Sequence, residues 1–282
     1  MRRGGDGNMT WLESLLYGLL SGIAEFLPIS ADAHRHLFCL LTGKQNHPLM
    51  ELAVHFACFL ALLLCCVPMI SRLQREWRIA TIPPKRRKRQ PDLRCMKDLR
   101  FVKTAIVPVL LGFAAWPFVK NATDNLWLMA LLLSANGIIL YLPPYFPAGN
   151  KESHSISGLD AVLTGLAGAV GAVPGFSRIG LLTTMGQLRG CDRRYILDIG
   201  LLLCIPANAL MIILDIASLL TYGANFPAGL LLSCVLAGAM AFPAAYFAIT
   251  FIRFLSVKVG FSGFAYYSWG AAMFTFILYL TV

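Results

Sequence analysis

Two apolar stretches of this chain each run into a break where a membrane span should continue: Glu25-Phe26-Leu27-Pro28-Ile29-Ser30-Ala31-Asp32-Ala33-His34 and Pro174-Gly175-Phe176-Ser177-Arg178-Ile179-Gly180. Proline and glycine interrupt the pattern, and charge and hydroxyls arrive with them. An ionisable group near the bilayer centre costs roughly 2.5–3.5 kcal/mol or more. Irregular backbone survives at that depth only where protein or water satisfies it. Packing alone is a poor reason to place Glu25, His34 and Arg178 there, so the two segments read as parts of a site.

The rest of the chain sets the class. Of its 282 residues 57% are hydrophobic and 13% charged. Apolar runs near 49–70, 104–119, 126–146, 195–222, 226–252 and 260–282 approach the ~20 residues that cross a hydrocarbon core. Two further runs, 9–28 and 159–173, end in the motifs. An all-α polytopic membrane protein is expected, as one integral membrane domain over 1–282. The net charge of +10 does not point to nucleic acid, because half of the basic residues lie between Arg72 and Lys103 and no recognition module accompanies them. A basic loop between spans holds itself in the cytoplasm and touches anionic lipid. The eight cysteines, among them Cys58, Cys65, Cys66, Cys204 and Cys234, have no metal-ligand spacing and read as small packing residues. The polar lead Met1-Arg2-Arg3-Gly4-Gly5 does not resemble a cleaved signal peptide.

Placing 71–103 in the cytoplasm lets the spans be counted outward, which puts 36–48 outside and 147–158 inside. Arg189, Arg193 and Arg194 then form a second positive cluster after a single short run. Two positive loops on one face cannot be joined by one full crossing. A re-entrant hairpin resolves this: 159–173 enters, turns at Pro174-Gly175, and 179–188 returns. The same reading makes 9–28 and 34–46 a hairpin entering from outside. Gly18-Leu19 with Pro28 and Ser30 is echoed by Gly165-Leu166 with Pro174 and Ser177. An inverted repeat is expected, 1–146 against 147–282, with about six transmembrane helices besides the two hairpins and the tips meeting at midplane.

Brought together, the tips would suit phosphate. Arg178 offers a planar donor fork, helped by backbone N–H groups from Pro174 to Gly180, Ser177 and Gly175 among them. Glu25 and Asp32 could hold a divalent cation bridging phosphate oxygens. Ser30 is a candidate nucleophile, with His34 as base or leaving-group acid. Plainer roles stand beside these: Ser30 or Asp32 as helix caps, His34 and His36 at the headgroup boundary, His55 as an interhelical hydrogen-bonder, and Gly165, Gly168 and Gly171 as packing positions.

These residues resemble the bacterial undecaprenyl pyrophosphate phosphatase family. The likeness spans nearly the whole chain and is densest over Gly18–His34 and Gly165–Pro206. It implies removal of phosphate from an isoprenyl pyrophosphate lipid in carrier-lipid recycling for the cell wall, with Mg2+ or Ca2+. It also implies a multi-pass protein of the bacterial plasma membrane whose site faces outward. Glu25, Ser30, His34 and Arg178 match the family's active-site positions. Departures are Ser21 where the family has a second acidic or amide residue, Ala31, Ala33, Gly168, Ile179, Leu182 and Ser268; Asp32 is extra. A carrier-lipid transporter that kept the cavity and lost efficient hydrolysis is the competing reading, and a structural or regulatory paralogue the third. A homodimer is left open.

Overall fold

The computed structural model describes residues 9–45, 47–222 and 229–281; the lead Met1–Gly5 and the start of the run 226–252 lie outside them. Helix α1 (Trp11–Phe26) starts in a capping box, in which Glu13 N–H donates to Thr10 Oγ1 at 3.2 Å and Thr10 N–H to Glu13 Oε2 at 2.6 Å. It stops at Leu27, which is extended, because a residue before proline is pushed out of the α region. Helix α2 (Ala31–Thr42) then begins with Ser30 as N-cap and ends at Gly43, whose φ of 67° is left-handed. The second hairpin repeats the plan, with α7 (Gly158–Val170) opening in a Ser157/Asp160 capping box and α8 (Arg178–Leu188) capped by Ser177.

Both hairpins return to the end they left. Lys44, just past α2, lies 3.9 Å from Glu13 at the start of α1. Arg189, just past α8, is 2.8 Å from Asp160 at the start of α7. Two helical hairpins entering from opposite ends, as expected, are therefore present.

Around them stand α3 (Pro48–Thr81), α4 (Leu93–Ala114) with the short α5 (Trp116–Val119), α6 (Leu126–Tyr141), α9 (Arg193–Tyr222), α10 (Leu230–Lys258) and α11 (Gly263–Thr281). Among the described residues four helices are long and apolar enough to cross a membrane, α3, α6 with its continuation to Tyr145, α9 and α10. The α4 helix with Trp116–Asp124, bent by 45°, counts as a fifth where the pair is taken as one broken span. The sixth run forms the 19-residue α11, which packs on α6.

The pairing of helices is what an exchange of the two halves would produce. Hairpin helix α1 packs on α10 as hairpin helix α7 packs on α4, and α3 meets α9 as α6 meets α11. Both hairpin seams depend on glycine. A Cβ on Gly18 would strike the carbonyl oxygen of Ala237, and one on Gly165 that of Ala105. The packing role weighed for Gly165 is thus its observed one. The core lies between the hairpins and the long helices, at Val54, Ala61, Leu182, Leu203 and Ala245.

One end of the bundle gathers the basic segments. Lys97 Nζ donates to the His154 carbonyl at 2.6 Å, Tyr195 OH to Asp98 Oδ1 at 2.8 Å, and Lys151 N–H to the Gly190 carbonyl at 3.0 Å. The opposite end brings residues from 36–45, 116–124 and 215–222 around one cavity. The expected placement of 71–103 and 189–194 at one end and the 36–48 segment at the other agrees with this arrangement. All eight cysteines are free, seven of them buried and Cys65 half-buried.

Candidate active site

The two tips are joined by side chain to backbone bonds. Ser30 Oγ accepts the N–H of Ala33 at 3.3 Å, as an N-cap does, and also the N–H of Gly175 at 2.9 Å. Gly175 sits at φ 104°, in the region that glycine alone adopts readily, which aims that N–H across the junction. From the other side Ser177 Oγ donates to the Leu27 carbonyl at 3.1 Å and accepts Gly180 N–H at 3.1 Å. Ser177 N–H donates to Asn136 Oδ1 at 2.9 Å, and Asn136 Nδ2 donates to Ser268 Oγ at 3.0 Å.

These bonds alter two expectations. The N–H groups of Gly175, Ser177 and Gly180, expected to face phosphate, are each spent inside the protein, since a buried donor finds the nearest acceptor. Nor do Ser30 and His34 meet through their side chains. His34 Nδ1 lies 2.5 Å from the Ser30 carbonyl and Nε2 lies 2.7 Å from Tyr267 OH, while Ser30 is fully buried. The cap geometry of α2 forces this, because a residue four past the N-cap lies beside the cap's carbonyl.

Charge gathers next to the junction. Glu25 stands between two guanidinium groups, with Oε1 3.4 Å from Arg178 Nη2 and Oε2 3.4 Å from Arg35 Nη1. Arg35 Nη2 lies 2.5 Å from Asp32 Oδ1. Arg178 Nη1 donates to Asn208 Oδ1, and the guanidinium lies 4.2 Å from the ring centroid of Phe113. Two buried donors, Arg178 Nε and Asn208 Nδ2, have no hydrogen-bond partner among the described residues. Close by, His55 Nδ1 bonds Asp215 Oδ2 at 2.6 Å, both side chains being 2% exposed. His55 is therefore both the interhelical hydrogen-bonder weighed from the sequence and a member of this cluster.

Glu25, His55, Phe113 and Arg178 line an inner chamber of about 20 Å³. That is room for about one water. Asp32 and Arg35 line it too, and they also line a vestibule of about 600 Å³ with His36, Lys44, Lys120 and Asp215. The vestibule opens at the end opposite the basic loops. Ser30 and His34 line neither space.

The divalent cation expected between Glu25 and Asp32 does not fit the side chains as they stand. Arg35 occupies the space between both carboxylates, and among the described residues no three His, Cys, Asp or Glu side chains come together as a metal site. Ser21, at the position of the missing acid, is buried in α1 with its Oγ unpartnered.

The family model for the bacitracin resistance protein BacA matches residues 14–274. The chain belongs to the BacA family. Undecaprenyl-diphosphatase of Nocardioides sp. is 33% identical over 202 residues, which cover 70% of this chain and 71% of that protein. Undecaprenyl-diphosphatase of Thermodesulfovibrio yellowstonii is 28% identical over 95% of this chain and 96% of its own, and that of Caldicellulosiruptor bescii 27% identical over 96% and 98%.

Within this BacA-family chain the motif departures fall in two groups. Ala31 lines the inner chamber, so a hydroxyl is missing where the cavity is. Ser268 and Leu182 lie in the scaffold, the first closing the Asn136 chain and the second packed beside Gly168. The sequence reading missed Arg35, Asn136, Asn208, Asp215 and Tyr267. Arg35 follows His34 directly and had a signal, a charge just past the motif in a stretch that is otherwise largely apolar; Asn208 and Asp215, polar groups in the run 195–222, had a weaker one of the same kind.

Proposed function

We propose that this chain hydrolyses undecaprenyl pyrophosphate, or a related polyprenyl pyrophosphate, to the monophosphate carrier lipid and inorganic phosphate. One observation carries the reading: a buried arginine whose Nε has no partner among the described residues, next to the amide donor of Asn208 that likewise has none, shares a chamber with His55, which Asp215 holds from behind. Donors without partners among the described residues suit an anion, and a histidine oriented by a carboxylate suits proton removal.

The headgroup enters through the vestibule, and Arg178 and Arg35 draw charge from its terminal phosphate. Phe113 beneath Arg178 and Asn208 at its Nη1 fix the plane of the fork. A water in the inner chamber attacks the terminal phosphorus. Asp215 holds the Nδ1 proton of His55, leaving the Nε2 lone pair to take the proton of that water. The bond from the terminal phosphorus to the bridging oxygen breaks, and its electron pair stays on the lipid monophosphate. That leaving group is a phosphate monoester with a second pKa of about 6, so it departs as an anion without a strong acid. Glu25 keeps Arg178 in place. Ser30 and Ser177 hold the tips together, and no step runs through a metal ion.

The site faces the extracytoplasmic side of a bacterial plasma membrane, with the two halves 1–146 and 147–282 as an inverted repeat about it. The basic end supports this orientation, since such loops stay in the cytoplasm. Labelling single cysteines at positions 44 and 90 from opposite sides tests it on a background without the eight native cysteines. The transporter reading rests on the lost carboxylate at Ser21 alone, whereas the similar proteins named above are undecaprenyl-diphosphatases. The deciding experiment is release of inorganic phosphate by purified protein from undecaprenyl pyrophosphate. No release by the wild type above that of Arg178→Lys defeats the proposal.

A further inference from the structure

Arg35 belongs to no motif that the sequence singled out, yet it is 4% exposed and touches both carboxylates expected to bind metal. Its Nη1 faces Glu25 Oε2 and its Nη2 faces Asp32 Oδ1, so one planar group reaches both. It also borders the inner chamber and the vestibule together.

Both carboxylates already face guanidinium groups, and Glu51 and Asp215 add two more acidic side chains at the vestibule. Glu25 and Asp32 are matched by Arg35 and Arg178. A divalent cation between the two carboxylates would set two more positive charges against Arg35, in surroundings that screen them weakly. Hard cations also need six or more oxygens, whereas the third acidic position here is Ser21, a neutral side chain. A guanidinium in that place does part of a metal's work. It holds the carboxylates together in the empty site, and it turns two parallel N–H groups toward phosphate oxygens when the headgroup arrives.

We propose that Arg35 replaces the divalent cation in this site, so that the chain binds no metal there and its reaction proceeds without one. The headgroup draws Arg35 from Asp32, whose side chain is 29% exposed toward the vestibule, while Glu25 continues to hold Arg178. The catalytic half of this inference rests on the hydrolysis proposed above; the binding half does not.

The test is a Mn2+ titration of detergent-purified protein followed by EPR, without substrate. Wild type should bind no ion at this site. Arg35→Met and Arg35→Gln, which uncover two carboxylates, should each gain one, and adding Glu25→Gln should remove it. Two carrying variants guard against one failing to fold, and size-exclusion profiles check both. In parallel, phosphate release by wild type should be unchanged by EDTA. A wild-type Mn2+ site that Glu25→Gln abolishes would overturn the inference, as would EDTA inhibition reversed by Mg2+ or failure of both well-folded Arg35 variants to gain an ion. If wild type releases no phosphate under any condition the proposed hydrolysis fails, and the Mn2+ titration still decides the role of Arg35.

Discussion

The first tip carries Glu25, Asp32, His34 and Arg35 within eleven residues, whereas the second carries Arg178 as its one charged side chain between Gly171 and Gly180. The peptide groups do not differ in this way: in the first tip those of Leu27, Ile29, Ala33 and His34 are bonded within the protein. In the second tip the N–H groups of Gly175, Phe176, Ser177 and Gly180 are each bonded within the protein. The second tip is therefore a seat that positions one guanidinium, and the first supplies the charges that answer it. Similar breaks in similar helices thus divide scaffold from chemistry, and the motif letters alone hide the division.

The largest effect should come from the lone charge of the seat. Arg178→Lys keeps a positive charge but loses the fork that spans Glu25 and Asn208 and the stacking on Phe113. A fall in kcat/KM of about a thousandfold is expected, at the upper range for removing one oriented donor. Steady-state phosphate release measures it, and near-parental activity would break the comparison by making the second tip all scaffold.

Next comes the His–Asp pair, which belongs to neither tip. His55→Asn and Asp215→Asn should each lower kcat by about a hundredfold with little change in KM, since both act on the attacking water and not on headgroup binding. The double variant should be no worse than the weaker single one, because the pair works as a unit. Losses that multiply would separate the two residues and leave His55 as a packing histidine.

The scaffold half of the comparison can be tested at the glycine seams. Gly18→Val and Gly165→Val press on equivalent carbonyls, those of Ala237 and Ala105. Each should destabilise by about 1–3 kcal/mol, the usual cost of overpacking, read as a lowered thermal midpoint in detergent. Similar drops sharpen the equivalence of the two halves; a large drop at one seam and none at the other would break it.

Much of this plan was legible in the chain. Pro28 and Pro174-Gly175 mark the breaks because proline removes a helical N–H and constrains its neighbour, and those effects are local. The basic loop at 71–103 orders the ends because its charge is concentrated in one segment. The partners of the site were not legible for the opposite reason. Asn208 and Asp215 lie thirty or more residues beyond Arg178 on α9, and Tyr267 sits on α11, so only the packing of the bundle brings them to the tips. Ser30 shows the limit within a motif. A serine before a helix start is both a good cap and a plausible nucleophile, and the choice depends on Gly175, which is 145 residues away.

Ser30 is also the smallest expected effect and the one that bears most directly on the division between seat and charges. Its Oγ accepts from Ala33 and Gly175 and is closed off from both cavities. On that geometry Ser30→Ala removes a cap and one inter-tip bond. It should cost about 1 kcal/mol of stability, with the released Gly175 N–H bringing any excess. Turnover should stay within about tenfold of the parent, since a loosened junction misplaces Arg178 slightly without deleting a reacting group. The motif match makes the contrary expectation: if the hydroxyl attacks phosphorus, Ser30→Ala abolishes turnover and spares lipid binding. Thermal midpoint, phosphate release and lipid affinity on the same preparation separate the two. A well-folded, lipid-binding, inactive Ser30→Ala would move the nucleophile to the first tip and require the junction to open before reaction. An active one places Ser30 with Ser177 among the clasps, and leaves the chemistry to the charges that surround Glu25.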